Sequence, residues 1–207
     1  MQKELMGQYL TGEEKSETLA SLQELIGKCK KCKLNSSRKN TVFGSGSLNA
    51  KIMFIGESPG EAEDESGLPF VGDAGKKLDD ILSHLKIERD DCYMTNVIKC
   101  HPPQSRTPND IEINKCNYYL KQQIEVVSPH VIVSLGVTSS RTLLCTDDFL
   151  ADMRLENIHT ESPFWENNEM SASIPIICTY HPAHVLRNPD KQSLFLMDIK
   201  KTLDFLI

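Results

Sequence analysis

Cys29-Lys30-Lys31-Cys32 is a C-x-x-C pair, and Cys100 and Cys116 form a second, wider pair 16 positions apart. Thiolates at C-x-x-C spacing on a turn can chelate one metal centre, and four soft sulfurs suit either Zn²⁺ or an iron–sulfur cluster. A zinc ribbon presents two closely spaced knuckles, whereas here only the first pair is close. A lone C-x-x-C also reads as a redox dithiol, and the four also read as unconnected buried thiols. Three more cysteines bring the count to seven. Cys92 and Cys178 fall in predicted strands and Cys145 near a predicted helix end, where packed thiols are expected. Between Lys28 and Lys39 stand six basic residues and no acidic one. That run is either a solvated face or a phosphate-contacting strip beside a metal-stapled loop.

The elements that must position such groups are four short apolar runs. Lys51–Gly56, Cys92–Ile98, His130–Leu135 and Ile174–Tyr180 are nearly continuous and rich in β-branched residues, as strands buried on both faces are. Helical spacing is read between and around them, at Glu17–Lys28, Ala74–Leu85, Pro108 to Ser128, Val137–Leu144 and Asp190–Ile207. Asn157–Ser173 is expected to be a long surface loop. Strand and helix in alternation predict a three-layer α/β/α domain around a central, mainly parallel four-stranded sheet. The whole chain, 1–207, reads as this single domain, with residues 1–20 as a peripheral N-terminal extension. Ligands of such sheets sit at the carboxyl ends of the strands. The segments of first interest are therefore Glu57–Gly60, Lys99–Pro103, Gly136–Arg141 and His181–Arg187. Gly136-Val137-Thr138-Ser139-Ser140 opens a helix, so Ser139 and Ser140 lie where backbone N–H groups could hold a phosphate.

The chain has 207 residues, 39% hydrophobic and 25% charged, with only 11 Gly and 10 Pro. This composition excludes collagen-like, mucin-like and fully disordered classes. No run approaches the ~18 apolar residues of a membrane span. The polar N-terminus lacks the apolar centre of a secretory signal, so a cytoplasmic protein with no membrane partner is expected. In that reducing compartment, an odd cysteine count favours metal or redox use over a disulfide scaffold. The net charge of −6, taken alone, speaks against nucleic acid. It is, however, an average over the basic strip and acid-rich segments such as Glu61–Glu65.

Gly56-Glu57-Ser58-Pro59-Gly60 follows the first strand, and Phe70-Val71-Gly72-Asp73-Ala74-Gly75 comes ten residues later. Asn96-Val97-Ile98-Lys99-Cys100 ends the second strand, followed by Pro102-Pro103 and Arg106-Thr107-Pro108. His181-Pro182-Ala183-His184-Val185-Leu186-Arg187 ends the last. With the four cysteines, this ordered set closely resembles family 4 of the uracil-DNA glycosylase superfamily, from about Cys29 to the C-terminus. The resemblance implies a [4Fe-4S] cluster on Cys29, Cys32, Cys100 and Cys116, structural in role, with zinc the alternative from spacing alone. It implies a monomeric, monofunctional enzyme that hydrolyses the N-glycosidic bond of a flipped-out base in DNA, most simply uracil, and leaves an abasic site.

By the same resemblance Phe70 stacks on the base, although alone it reads as a core residue. Asn96 reads the base edge, and His181 donates to the departing base. Glu57 activates water or steadies the cationic sugar, within a turn that also brings Gly56, Pro59 and Gly60 to the substrate. Ser58 departs from the family's usual Ala or Gly and is counted with the catalytic residues. Leu68, Asp73 and His101 stand where arginine is common. The Pro182–Arg187 loop resembles the element that enters the minor groove, where Leu186 or Arg187 fills the vacated space. His184 and Arg106 are counted as further DNA contacts. No lysine is singled out as an amine nucleophile, so simple hydrolysis is expected. The departures motivate a second reading, a glycosylase for another modified base, for example a modified pyrimidine in foreign DNA. A non-catalytic, metal-stabilised nucleic-acid-binding module is a third.

Overall fold

The computed structural model describes residues 10–145, 164–167 and 172–206. Its strands are β1 (Ser45–Gly46), β2 (Ile52–Gly56), β3 (Tyr93–Asn96), β4 (Val131–Leu135), β5 (Phe164–Asn167) and β6 (Ala172–Thr179). They form one sheet in the order β1-β3-β2-β4-β6-β5. The inner four are parallel, with Phe54 opposite Met94 and Val133, and Val133 opposite Ile177. These are the four expected strands. The two edge strands are antiparallel additions to the expectation. β1 is too short to carry a pattern. β5 lies inside the polar stretch read as a loop, where buried Trp165 pairs with Ile174. The rest of that stretch before Ala172 lies outside the described residues.

The helices are α1 (Gly12–Gly27), α2 (Glu61–Ser66), α3 (Asp73–Leu85), α4 (Asp110–Val127), α5 (Val137–Leu144), α6 (Pro182–Arg187) and α7 (Gln192–Lys200). The strand pleat sends alternate residues to opposite faces. Met53, Ile55, Ile132 and Ile176 pack with Leu19, Leu22 and Ile26 of α1 and Leu120 and Ile124 of α4. Ile52, Phe54, Val131 and Val133 pack with Leu78 and Leu82 of α3 and Phe195 and Ile199 of α7. The three-layer α/β/α arrangement follows. Among the described residues no helix is long and apolar enough to cross a membrane.

Four local expectations need correction. α1 begins before Glu17 because Thr11 and Glu14 cap it reciprocally, at 2.7 and 3.2 Å. It buries Lys15 and Leu19, while Gly12, Glu13, Glu14, Ser16 and Glu17 stay exposed. The last helix ends at Lys200 and continues only as a 3₁₀ turn, Lys201–Phe205. The Pro182–Arg187 segment is a short helix, not a loop: Pro182 takes the first helical position, where its missing N–H costs nothing. Cys145 is exposed at the end of α5 rather than packed, whereas Cys92 and Cys178 are buried as expected.

Candidate active site

β2, β3, β4 and β6 end at Gly56, Asn96, Leu135 and Thr179, and the residues after them converge on one cavity of about 600 Å³. Glu57, Ser58, Pro59, Gly60, Phe70, Asn96 and His181 all line it. Gly56 lies directly behind the lining: a Cβ there would stand 2.4 Å from Asn96 Oδ1 and 2.8 Å from Phe70 Cζ. The glycine therefore lets the base-edge reader and the aromatic wall close on the same point.

Phe70 is buried yet sits in the left-handed region, at φ 54°. Such a backbone persists only where its surroundings impose it. Arg89 supplies one constraint, donating to the Pro69 and Phe70 carbonyls at 2.9 and 3.2 Å while pairing with Asp79 at 2.6 Å. Gly75 supplies another, because a Cβ there would fall 1.8 Å from the Phe70 carbonyl oxygen. Glu63 supplies a third. Its buried carboxylate accepts from the backbone N–H groups of Gly60, Val71 and Gly72 at 2.8–2.9 Å, stitching the Glu57–Gly60 turn to the Phe70 loop.

Asn96 is 2% exposed, and its Oδ1 has no hydrogen-bond partner. An unmet acceptor of this kind is costly unless a ligand completes it. Across the cavity, His181 caps α6 by accepting from the Ala183 N–H at Nδ1, 3.2 Å away. With Nδ1 an acceptor, the neutral ring carries its proton on Nε2. Burial pulls the imidazole pKa down to about 4, and Arg187 and His184 act in the same direction against the opposing pull of Glu63. His181 is therefore a neutral donor at physiological pH. Glu57 is half-buried, with Oε2 accepting from the Thr138 hydroxyl at the start of α5.

The residues assigned to DNA contact separate into two groups. His184 and Arg187 line the cavity, His184 stacked on Tyr180 at 5.4 Å, and Leu186 is 46% exposed on the same short helix. Arg106 instead makes a two-pronged pair with Glu112, at 2.7 and 2.8 Å. The Ser139 and Ser140 side chains turn inward, to the Ser134 hydroxyl and the Gly136 carbonyl, and are fully buried. The backbone N–H of Ser140 bonds the Gly136 carbonyl at 3.1 Å, so it is committed within the helix rather than open to a phosphate.

Residues 43–204 match the family model described as the uracil DNA glycosylase superfamily. The chain is 41% identical over 182 residues to the type-4 uracil-DNA glycosylase of Pyrobaculum aerophilum, covering 87% of this chain and 91% of that one. It is 39% identical over 194 residues to the type-4 uracil-DNA glycosylase of Sulfurisphaera tokodaii, covering 92% and 86%. With that of Thermotoga maritima it shares 36% over 197 residues, covering 93% and 96%. The chain belongs to the type-4 uracil-DNA glycosylase family.

In this family member the four expected cysteine ligands come together. Cys29, Cys32, Cys100 and Cys116 line one small cavity between α1 and α4, with Arg38, Lys99 and Tyr119. Arg38 donates to Cys100 Sγ at 3.1 Å and to the Cys29 carbonyl at 2.9 Å. The basic strip is thus not uniform. Arg38 turns inward, Lys39 pairs with Glu65, and Lys31 lies over the Tyr119 ring at 4.6 Å. Burial pushes the Cys116 thiol up to about 11, so its thiolate needs a cation or metal to form. Among the described residues no group of three or more His, Cys, Asp or Glu is arranged to hold a single metal ion.

Sequence reasoning missed Glu63, Thr138 and Arg89. Two carried a usable signal: Glu63 stands three residues after Gly60, at the position of a capping-box acid, and Thr138 lies in the first turn of α5, just past the carboxyl end of β4.

Proposed function

We propose that this protein is a monofunctional DNA glycosylase that hydrolyses the N-glycosidic bond of uracil in DNA, leaving an abasic site for base-excision repair. The observation that carries this reading is one cavity holding a buried, unpaired Asn96 Oδ1 opposite a neutral His181 donor. Uracil presents N3–H to Oδ1 and O4 to the Asn96 amide. Cytosine presents a lone pair at N3 and leaves Oδ1 unmet, so it is rejected by a buried polar mismatch. Phe70 gives the base its stacking wall.

As the bond breaks, negative charge gathers on the base and positive charge on the sugar. His181 Nε2–H meets the charge developing on uracil O2 without giving up its proton, as a preorganised donor does in a dry site. Glu57, held by Thr138, faces the cationic sugar and takes a proton from the attacking water. Ser58 adds a hydroxyl beside that water. Among the described residues no lysine lines the cavity, which favours hydrolysis over an amine nucleophile. Leu186 and Arg187, exposed on α6, occupy the space the flipped base leaves.

Cys29, Cys32, Cys100 and Cys116 would hold a [4Fe-4S] cluster. Four cysteines that line one cavity could supply the four thiolates such a cluster takes. Cys29 and Cys32 after α1, Cys116 in α4 and Cys100 in the segment after β3 would be tied together by such a cluster.

Base release from oligonucleotides containing uracil, hypoxanthine or modified cytosines, single- and double-stranded, tests the activity. Abasic sites at uracil are expected. Release of another base with none at uracil would overturn the substrate and favour the second reading. Colourless protein with bound zinc would overturn the cluster.

A further inference from the structure

Lys99 stands between the cysteine centre and the base cavity. It is fully buried and lines the cavity of the four cysteines. From there its ammonium turns back along the chain and donates to the Asn96 carbonyl and the Thr95 hydroxyl, both at 2.6 Å. Thr95 is itself anchored, donating to the Phe43 carbonyl at 2.9 Å, which also accepts from Gln123 at 2.8 Å. Among the described residues no carboxylate forms an ion pair with Lys99. A buried ammonium needs counter-charge, and the groups that share its cavity are the four cysteines, which become thiolates when they hold a metal centre.

We propose that Lys99 is a positioning residue that joins the cysteine centre to the base-reading Asn96, its ammonium held by thiolate charge while it clamps the end of β3. The inference rests on the proposed roles of the four cysteines and Asn96. Its physical content is a shared dependence. The peptide after Asn96 is fixed on one side by Val97 N–H to the Gly56 carbonyl, 2.8 Å, and on the other by Lys99. Weakening the negative charge of the centre leaves Lys99 uncompensated and loosens the clamp. Removing Lys99 withdraws a cation from beside the cluster and slackens Asn96.

Lys99→Met keeps the length of the side chain and removes the charge. The purified variant is compared with wild type for iron and sulfide content, cluster midpoint potential, and binding of DNA carrying a non-hydrolysable uracil nucleotide against the matched cytosine nucleotide. With iron retained, a more negative midpoint and about tenfold or greater loss of uracil-over-cytosine discrimination are expected. Unchanged discrimination and midpoint in iron-loaded Lys99→Met would overturn the inference. Thr95→Val keeps the ammonium and deletes its hydroxyl partner, and it decides the matter should Lys99→Met not fold. It is expected to lose discrimination at unchanged midpoint, and wild-type discrimination there would overturn the clamp. Wild-type protein lacking iron or uracil binding would instead overturn the functional reading beneath it.

Discussion

Acidification tests whether His181 works as a neutral donor. The folded imidazole sits at about 4 rather than 6.5 because burial disfavours its cation. Nδ1 also accepts from Ala183 N–H, a bond the doubly protonated ring cannot make. Between those two pH values the unfolded chain binds a proton that the folded chain refuses. Stability from this group is therefore complete above about pH 6.5 and declines as pH falls towards about 4. The gap of about 2.5 units, at about 1.4 kcal/mol per unit, amounts to about 3 kcal/mol lost by the acid end. The chemical step should follow the same proton. A neutral donor serves equally at about pH 8 and 6, so single-turnover uracil release stays flat across that range and falls only as His181 protonates. A cationic general acid would do the reverse, its active fraction growing up to tenfold per unit as pH falls from about 8 towards 6.5. Single-turnover release from a uracil-containing oligonucleotide, with ring-nitrogen NMR shifts of His181 over the same pH series, provides both curves. A His181 that titrates near its ordinary value, or a rate that climbs on acidification through that value, refutes the neutral donor.

Glu57→Gln is expected to cut single-turnover release roughly a hundredfold or more while leaving the binding of non-hydrolysable uracil DNA near wild type, measured by anisotropy. Gly56→Ala places a methyl 2.4 Å from Asn96 Oδ1 and 2.8 Å from Phe70 Cζ. It should cost about 1–3 kcal/mol in denaturant unfolding and abolish base discrimination. Arg106→Ala leaves the buried Glu112 without its two-pronged partner. Its Tm should fall, while the salt slope of DNA affinity stays as in wild type; a slope lowered by about one would restore Arg106 to the phosphate contacts.

The sheet was legible because its strands are buried on both faces, and such strands leave dense apolar runs such as Ile52–Gly56 and Val131–Leu135. The lining was legible for a related reason: once four strand ends are placed, the residues after them are the ones that meet. The contacts that hold the lining are another matter. Glu63 is one of four acids in five positions, and only the folded chain separates the one that accepts three N–H groups from its neighbours. Ser139 and Ser140 show the converse. The start of α5 was read correctly, but which way its hydroxyls turn depends on Ser134 in β4. Arg106, counted as a DNA contact, has a partner no pattern announces: Glu112, six residues on, which the cap of α4 brings round to it. The sequence pattern locates elements and their ends; the partners of polar side chains are set by packing.

The same distinction changes the meaning of the charge. An acidic run at Glu61–Glu65 beside a DNA-directed cavity would repel phosphate if it formed an open face. Its members are not arranged that way. Glu63 is turned inside onto three backbone N–H groups, Asp64 is buried on the N–H groups of Lys39 and Asn40, and Glu65 pairs with Lys39. Two of these acids thus serve as internal acceptors that fix the Phe70 loop and the segment leading from the cysteine turn. Buried carboxylates of this kind act over short range on the groups they touch, while exposed phosphate contacts are screened within about 10 Å at ordinary salt. A net charge of −6 is therefore compatible with a nucleic-acid substrate, because part of it is spent on building the pocket. Discrimination then rests on Asn96, Phe70 and His181 rather than on the long-range field of the protein.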